Sequence, residues 1–330
     1  MRNTHISREP GGLIKKLIEM RKILITGACG YLGSQLLRSI ETMKGQVQIK
    51  ILDNFSSGSY SALMNLPSNV SCELIEGDIL NTALINYAMK NVDTVIHLAA
   101  IVRTPMGFGT SNALEQVNQW GTRNVLEAAL TNKVNHFVYA SATAVYGPEM
   151  EGKSCDEFRP FGHYANSLFK AEKSIKVYIQ RGLPATVIRF GTLYGLAPIM
   201  RFTSAINRLV NMAGTKETLT IFGSGKQTRP FITVKDAVNA IIFCLDNSEK
   251  SIGKMFNAFE ENYSINSIAA EIQKIKPEVK LHFTDQDIRN HFSFSIKQDL
   301  LQEIGWGPKH LLPEVIKEQI NRYQGFKDKI

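Results

Sequence analysis

Short apolar or alternating runs recur along the first part of the chain, at Lys22–Thr26, Val47–Leu52, Val70–Ile75, Val92–Leu98, Val134–Ala140 and Ala185–Arg189. Their length and their content of Val, Ile and Leu read as buried strands. Between several of them the apolar spacing becomes helical. Tyr31–Arg38 turns Leu32, Leu36 and Leu37 inward, and longer helical patterns lie near Asn112–Thr131 and Tyr164–Arg181. This alternation is βαβ winding, which predicts a mostly parallel sheet covered on both faces. After Arg189 the texture changes to short segments punctuated by Gly195, Gly214, Gly223 and Gly225, as expected of a smaller lobe built over the carboxyl ends of the strands.

The first strand runs into three glycines spaced three apart, Gly27, Gly30 and Gly33. Glycine permits the tight turn, brings backbone N–H groups close to a pyrophosphate, and lets that group rest on the positive end of the helix dipole. The spacing Gly-x-x-Gly-x-x-Gly differs from the commoner Gly-x-Gly-x-x-Gly, and a lone triplet also serves a plain βα turn. The second strand changes the balance, because it ends in Asp53, at about the distance expected of a ribose-binding acid. Its carboxylate takes both adenosine ribose hydroxyls and repels a 2′-phosphate, and Asn54-Phe-Ser-Ser-Gly58 offers no arginine to hold one. NAD is therefore expected over NADP; the alternative is that Asp53 only starts a turn. The expected architecture is α/β, a Rossmann-like doubly wound parallel sheet with a smaller C-terminal α/β lobe. An extension covers 1–19, the NAD-binding domain 20–190 joined by parts of 231–260, and the substrate lobe mainly 191–330.

The chain has 330 residues, 44% of them apolar and 21% charged, enough for one large two-part globule. No apolar run approaches a membrane span, and the start lacks the apolar centre of a secretory signal, so a cytoplasmic protein off the membrane is expected. Cys29, Cys72, Cys155 and Cys244 are scattered without a Cys-x-x-Cys pair, so neither a metal site nor a disulfide framework is expected. The net charge of +8 comes from Lys and Arg interleaved with acids, which fits an anionic small molecule and gives no basic block for nucleic acid. In 1–19, Leu13, Ile14, Leu17 and Ile18 have helical spacing, which leaves a short amphipathic helix or a fraying end open.

From about Met20 to its end the chain resembles the extended short-chain dehydrogenase/reductases, NAD-dependent epimerases, dehydratases and reductases of nucleotide sugars. The resemblance rests on Thr26-Gly-Ala-Cys-Gly-Tyr-Leu-Gly33, Asp53-Asn-Phe-Ser-Ser-Gly58, Gly77-Asp78, His97-Leu-Ala-Ala100, Asn118 with Gly121-Thr122, Val145-Tyr-Gly147, Arg189 with Tyr194-Gly195, Gly225-Lys-Gln-Thr-Arg229 leading into Val234-Lys-Asp236, and Ile304-Gly-Trp-Gly-Pro308. It implies a homodimer and a cofactor site made of Gly27, Gly30, Tyr31, Leu32, Gly33, Asp53, Asn54, Asp78, Ile79, Leu98, Ala99, Ala100 and Tyr164. Asp78 and Ile79 would border the adenine, and Leu98, Ala99 and Ala100 the pyrophosphate and ribose. It makes the second lobe the nucleotide-sugar site, with Arg229 on the substrate diphosphate, a role suited to a guanidinium fork. Thr192 stands where relatives carry an asparagine that touches sugar or phosphate, and Arg289 stands near an arginine position that Phe283–Asp287 lacks. Each match has a plainer counterpart: Asp78 as a turn acid, Asp236 as a helix N-cap, Arg229 as a surface charge.

The chain departs from the family at two catalytic positions. Ala142 occupies the hydroxyl position four before Tyr146, flanked by Ser141 and Thr143, and Leu168 occupies the lysine position four after Tyr164. Lys170 does not substitute, because two residues further it points about 200° away on a regular helix. The family's lysine holds the nicotinamide ribose and lowers the tyrosine pKa, so Tyr164 without it is expected to stay protonated and to act as an acid more readily than as a base. His163 and Arg103 are the nearby cations in sequence, and the sequence does not rank them. The catalytic candidates are Tyr164 with Thr143 or Ser141. Two functions stand open: an NAD-dependent enzyme cycling a nucleotide sugar through a 4-keto intermediate, as epimerase, dehydratase or reductase, and an NAD-binding sensor or partner subunit with lost turnover.

Overall fold

The computed structural model describes residues 20–68, 70–102, 111–148, 158–215, 218–284, 293–297 and 300–323. The extension 1–19, Arg103 and Arg289 lie outside the described residues. Strands β1 (Arg21–Thr26), β2 (Val47–Asp53), β3 (Ser71–Glu76), β4 (Thr94–His97), β5 (His136–Ala142) and β6 (Ala185–Phe190) fall within a residue or two of the apolar runs. Beyond them come β7 (Thr192–Tyr194), β8 (Thr218–Phe222), β9 (Thr228–Thr233), β10 (Met255–Ala258), β11 (Glu261–Ser264) and β12 (Lys280–Thr284).

Seven strands form one parallel sheet in the order β10-β6-β5-β4-β1-β2-β3. Both faces are buried, and alternation along each strand decides which residue serves which face. On β1, Leu24 joins a cluster with Phe137 and Tyr139 of β5, while Ile23 and Ile25 join the opposite cluster. The first cluster is covered by α2 (Thr82–Ala88), α4 (Thr122–Thr131) and α5 (Gly162–Gln180), and α3 (Ser111–Glu115) packs against α5. Strand order reverses between β1 and β4, so their carboxyl ends open a crevice, the usual ligand position of such sheets. Helix α1 (Tyr31–Ser39) follows β1 on the second face; α6 (Ala205–Thr215) lies in the smaller lobe, and α7 (Val234–Asp246) packs against α1. The smaller lobe has its own core, in which Leu209 of α6, Ile221 of β8 and Phe231 of β9 meet, and two small sheets, β11-β9-β7 and β12-β8.

Two local expectations are corrected. The helical stretch 112–131 is not continuous: Gln116–Gly121 forms a π-helical turn between α3 and α4. The N-cap of α7 is Thr233, whose hydroxyl accepts from the Asp236 amide, whereas Asp236 is buried and receives the Lys309 and His310 amides at 3.1 and 3.0 Å. Asp236 thereby ties the C-terminal segment to α7. Among the described residues no helix is long and apolar enough to cross a membrane.

Candidate active site

The three glycines are required for different reasons. A Cβ on Gly27, at φ +72°, would sit 2.6 Å from the Ala99 amide nitrogen, so the β1 turn and the loop after β4 close directly on one another. A Cβ on Gly33 would come within 2.5 Å of the Ala28 Cα, so α1 packs directly on the turn that precedes it. Gly30 has an ordinary φ of −83° and its Cβ would meet only the Gly27 carbonyl, at 3.5 Å. Nothing in the protein demands glycine there. The backbone there is open to a ligand, and the adjoining N-terminus of α1 has no side-chain cap for its first N–H groups. Tyr31 turns its ring away from that opening: its hydroxyl donates to the Gly195 carbonyl at 2.6 Å and accepts from Asn207 at 3.0 Å. Tyr31, Leu32 and Gly33 therefore offer backbone to an anion, and the Tyr31 side chain fastens the two lobes.

Asp53 ends β2 with its carboxylate 8% exposed, accepting the Cys29 amide at one oxygen and the Phe55 amide at the other, both at 2.8 Å. Each oxygen keeps a further lone pair for a ribose hydroxyl. Beside it Asn54 donates to Asp78 at 2.7 Å, Asp78 also accepts the Leu80 amide, and Ile79 is buried against the place where Gly121 lacks a side chain. Leu98, Ala99 and Ala100 follow β4 across the crevice from Gly27, with the Leu98 amide bonded to the Thr26 carbonyl. Open backbone at Gly30, an uncapped helix and a buried acid one strand away fit a dinucleotide that carries a free ribose.

Tyr164 lies in the first turn of α5, near the carboxyl end of β5, densely surrounded but with one partly exposed edge. Burial pushes its phenol above the ordinary value of about 10, and the Arg201 guanidinium opposes that rise. Leu168 is 1% exposed and belongs to the apolar cluster. Lys170 is on the outer side of α5, paired with Glu115. His163 is exposed.

Of the two hydroxyls beside Ala142, Ser141 commits its proton elsewhere. It donates to Glu172 at 2.6 Å inside a buried network in which Glu172 also receives the Arg189 fork, the closest contact 2.8 Å, and Arg189 donates to the Tyr146 hydroxyl at 3.1 Å. An uncompensated charge at that depth would cost several kcal/mol, and the Ser141 hydrogen bond adds to what Arg189 supplies to Glu172. Thr143 is buried at the start of the 3-10 turn Thr143–Tyr146 and makes no side-chain hydrogen bond among the described residues.

In the smaller lobe, Thr192 on β7 faces Phe231 of β9, and Arg229 stands two residues earlier on β9. Arg229 lies 4.9 Å over the Phe294 ring and donates to the Thr228 carbonyl at 2.9 Å; burial lowers its pKa to about 10, which leaves it charged at neutral pH. Two residues gain roles that the sequence pattern does not give them. Asn118, inside the π turn, accepts from the Ile101 amide at 2.8 Å and donates to the Ile101 carbonyl at 3.1 Å and to Ser167 at 3.0 Å. Arg201 carries no motif and is placed by its contact with the Val102 carbonyl, from a segment 99 residues away.

Comparison with known proteins agrees with this geometry. The model of the NAD dependent epimerase/dehydratase family matches residues 23–258. The UDP-N-acetyl-alpha-D-glucosaminuronate decarboxylase of Bacillus cytotoxicus is 33% identical over 264 residues, 77% of this chain and 80% of the relative. The dTDP-D-glucose 4,6-dehydratase of Homo sapiens is 26% identical over 333 residues, 96% of this chain and 91% of the relative. The structure of UDP-glucuronic acid 4-epimerase from Bacillus cereus, solved with UDP-glucuronic acid and NAD, superposes with a TM-score of 0.80 at 25% identity, covering 93% of this chain and 100% of that one. With its glycine turn, the acid that ends β2 and its seven-stranded sheet, the chain belongs to the NAD dependent epimerase/dehydratase family.

Proposed function

We propose that this chain modifies a nucleoside-diphosphate sugar through a 4-keto intermediate, with the sugar between the glycine-turn domain and the lobe that carries Thr192 and Arg229. The observation that carries the reading is the convergence of an open Gly30 backbone, Asp53 and the Tyr164 turn of α5 on one end of the parallel sheet. The relatives named above, a UDP-sugar decarboxylase, a dTDP-sugar dehydratase and a UDP-sugar epimerase, support the substrate class. NAD, when bound there, would supply the hydride acceptor and donor for the sugar. Asp53 holds the adenosine ribose, Asn54, Asp78 and Ile79 border the adenine, and the α1 backbone holds the pyrophosphate. Tyr164 transfers the proton at the sugar C4 oxygen, and Thr143 polarises that oxygen in place of the hydroxyl that Ala142 lacks. Because burial favours the neutral phenol, donation to a ketone is the easier direction. Arg229 binds the substrate diphosphate.

Leu168 and Ala142 also support a second reading, a protein that binds NAD and a nucleotide sugar without turnover. Incubation with UDP- and dTDP-sugars, followed by cofactor absorbance and product mass, separates the two: an altered sugar supports the enzyme, a bound but unchanged one the binding protein. Arg229→Ala is expected to weaken nucleotide-sugar binding by about 30-fold, the equivalent of ~2 kcal/mol, with NAD affinity intact. Unchanged sugar affinity would remove Arg229 from the site. A homodimer belongs to the same proposal, supported by Trp120 and Val177, each 52% exposed on helical segments packed against one another, and sedimentation tests it.

A further inference from the structure

Asn207, in the first turn of α6, is 1% exposed, and every hydrogen-bonding position of its carboxamide is filled. Its Nδ2 donates to the Tyr31 hydroxyl at 3.0 Å and to the Arg201 carbonyl at 3.1 Å. Its Oδ1 accepts from the Gly195 amide and from the Gln319 side chain, both at 3.0 Å. The Tyr31 hydroxyl donates in turn to the Gly195 carbonyl at 2.6 Å, so Asn207, Tyr31 and Gly195 close a ring of hydrogen bonds. Turning the amide over would set its N–H groups against two other donors, the Gly195 amide and Gln319 Nε2, so the surroundings fix its orientation.

The ring joins both halves of the site. Tyr31 directly follows Gly30, in the turn that opens its backbone to a ligand. Gly195 directly follows β7, which begins at Thr192 and pairs with β9, the strand of Arg229. The loop from Gly195 to Arg201 is held to α1 a second time, where the Ser34 hydroxyl accepts the Ile199 amide at 3.2 Å. At its far end Arg201 donates to the Val102 carbonyl at 3.2 Å, beyond β4. The loop therefore touches both segments that flank the crevice, the one after β1 and the one after β4. A saturated buried ring admits one placement of α1 against β7, because any shift leaves donors or acceptors unpaired away from water.

We propose that Asn207 is a positioning residue that couples the two ligand sites, acting through Tyr31 and Gly195 to set the cofactor turn against the strands that carry Thr192 and Arg229. The inference rests on the reading of those two residues as the nucleotide-sugar site. An anion on the α1 N-terminus holds the turn at Gly30 and Tyr31, and the ring passes that placement to Gly195 and β7. The nucleotide sugar then meets strands already in place and loses less freedom on binding; by linkage it strengthens NAD binding by the same factor.

Calorimetry tests this by the affinity of UDP- and dTDP-sugars for the protein without NAD and saturated with NAD. Wild type is expected to bind its sugar about tenfold more tightly with NAD present. Tyr31→Phe removes one hydroxyl and keeps the aromatic ring; the enhancement should fall to about twofold or less. Asn207→Ala should abolish it, and Tyr31→Phe decides alone where that variant does not fold. A sugar affinity weakened by the same factor with and without NAD is what a merely structural role gives, and it overturns the inference, as does a wild type with no enhancement. Sugar binding that is untouched by Arg229→Ala would instead defeat the reading of the sugar site itself, and the inference with it.

Discussion

Leu168 packs in the same cluster as Ile175 and Tyr178, about two and about three turns further along α5, and burial of a leucine there contributes about 2 kcal/mol. The substitution Leu168→Lys therefore has two opposed effects. It places an ammonium at a buried position, so unfolding should become easier by a few kcal/mol, measured by urea denaturation. It also restores a cation one helical turn from Tyr164, which should move the optimum for alcohol oxidation to lower pH. An optimum that stays in place in the NAD-saturated variant would mean that another group takes the proton. At this scale the sequence exposes the departures at Ala142 and Leu168, because they sit in a fixed register with Tyr146 and Tyr164. It does not expose their surroundings, since the Ser141–Glu172 and Arg201–Val102 contacts join residues 31 and 99 positions apart.

In the β1–α1 element, the three glycines separate folding from binding. Gly27→Ala places a Cβ at φ +72° against the Ala99 backbone, a left-handed strain of about 1–2 kcal/mol plus a clash that only strand movement relieves. Gly30→Ala meets neither obstacle. It should unfold at the wild-type temperature in a thermal melt while calorimetry shows NAD binding weakened about tenfold or more, because the added methyl occupies the space above the α1 N-terminus. Full NAD affinity in that variant would show that the cofactor does not approach Gly30. The π turn Gln116–Gly121 was invisible in the apolar period, which runs through it as an ordinary helix. It forms where Asn118 gains a paired contact with Ile101, so a tertiary hydrogen bond overrides the local pattern.

For the molecule as a whole, burial on both faces of the sheet traps two neutral histidines. His97 lies between Thr26 and Thr122; since the Thr122 hydroxyl donates to the Asn118 carbonyl, His97 Nε2–H donates to Thr122 and its Nδ1 accepts from Thr26. Burial lowers its pKa to about 3, and burial together with Arg21 lowers that of His136 to about 4. In the unfolded chain both titrate near 6.5. Above that value the two states bind the same number of protons at these sites, and stability is complete. Below it the unfolded chain takes up protons that the folded one refuses, so stability falls as the pH drops toward 4 and 3, by about 1.4 kcal/mol per pH unit for each histidine. Urea unfolding between pH 7 and 4 should show this slope, and His97→Gln should reduce it; an equal slope in the variant would mean that His97 is not the source.

The sequence by itself determined the main strands to within a residue or two, the parallel winding, the glycine turn and the acid that ends β2. These follow from periodicities of two and 3.6 and from short spacings along one segment of chain, and neither needs a partner from elsewhere. Tertiary structure alone decided that β10 closes the sheet beside β6, that Asp236 holds the C-terminal segment, that Ser141 donates to the buried Glu172, and that Arg201 is held against the Val102 carbonyl. Those outcomes depend on which distant side chains the packed lobes bring within a few ångströms of one another, and on how far burial strengthens or penalises a charge once it is there.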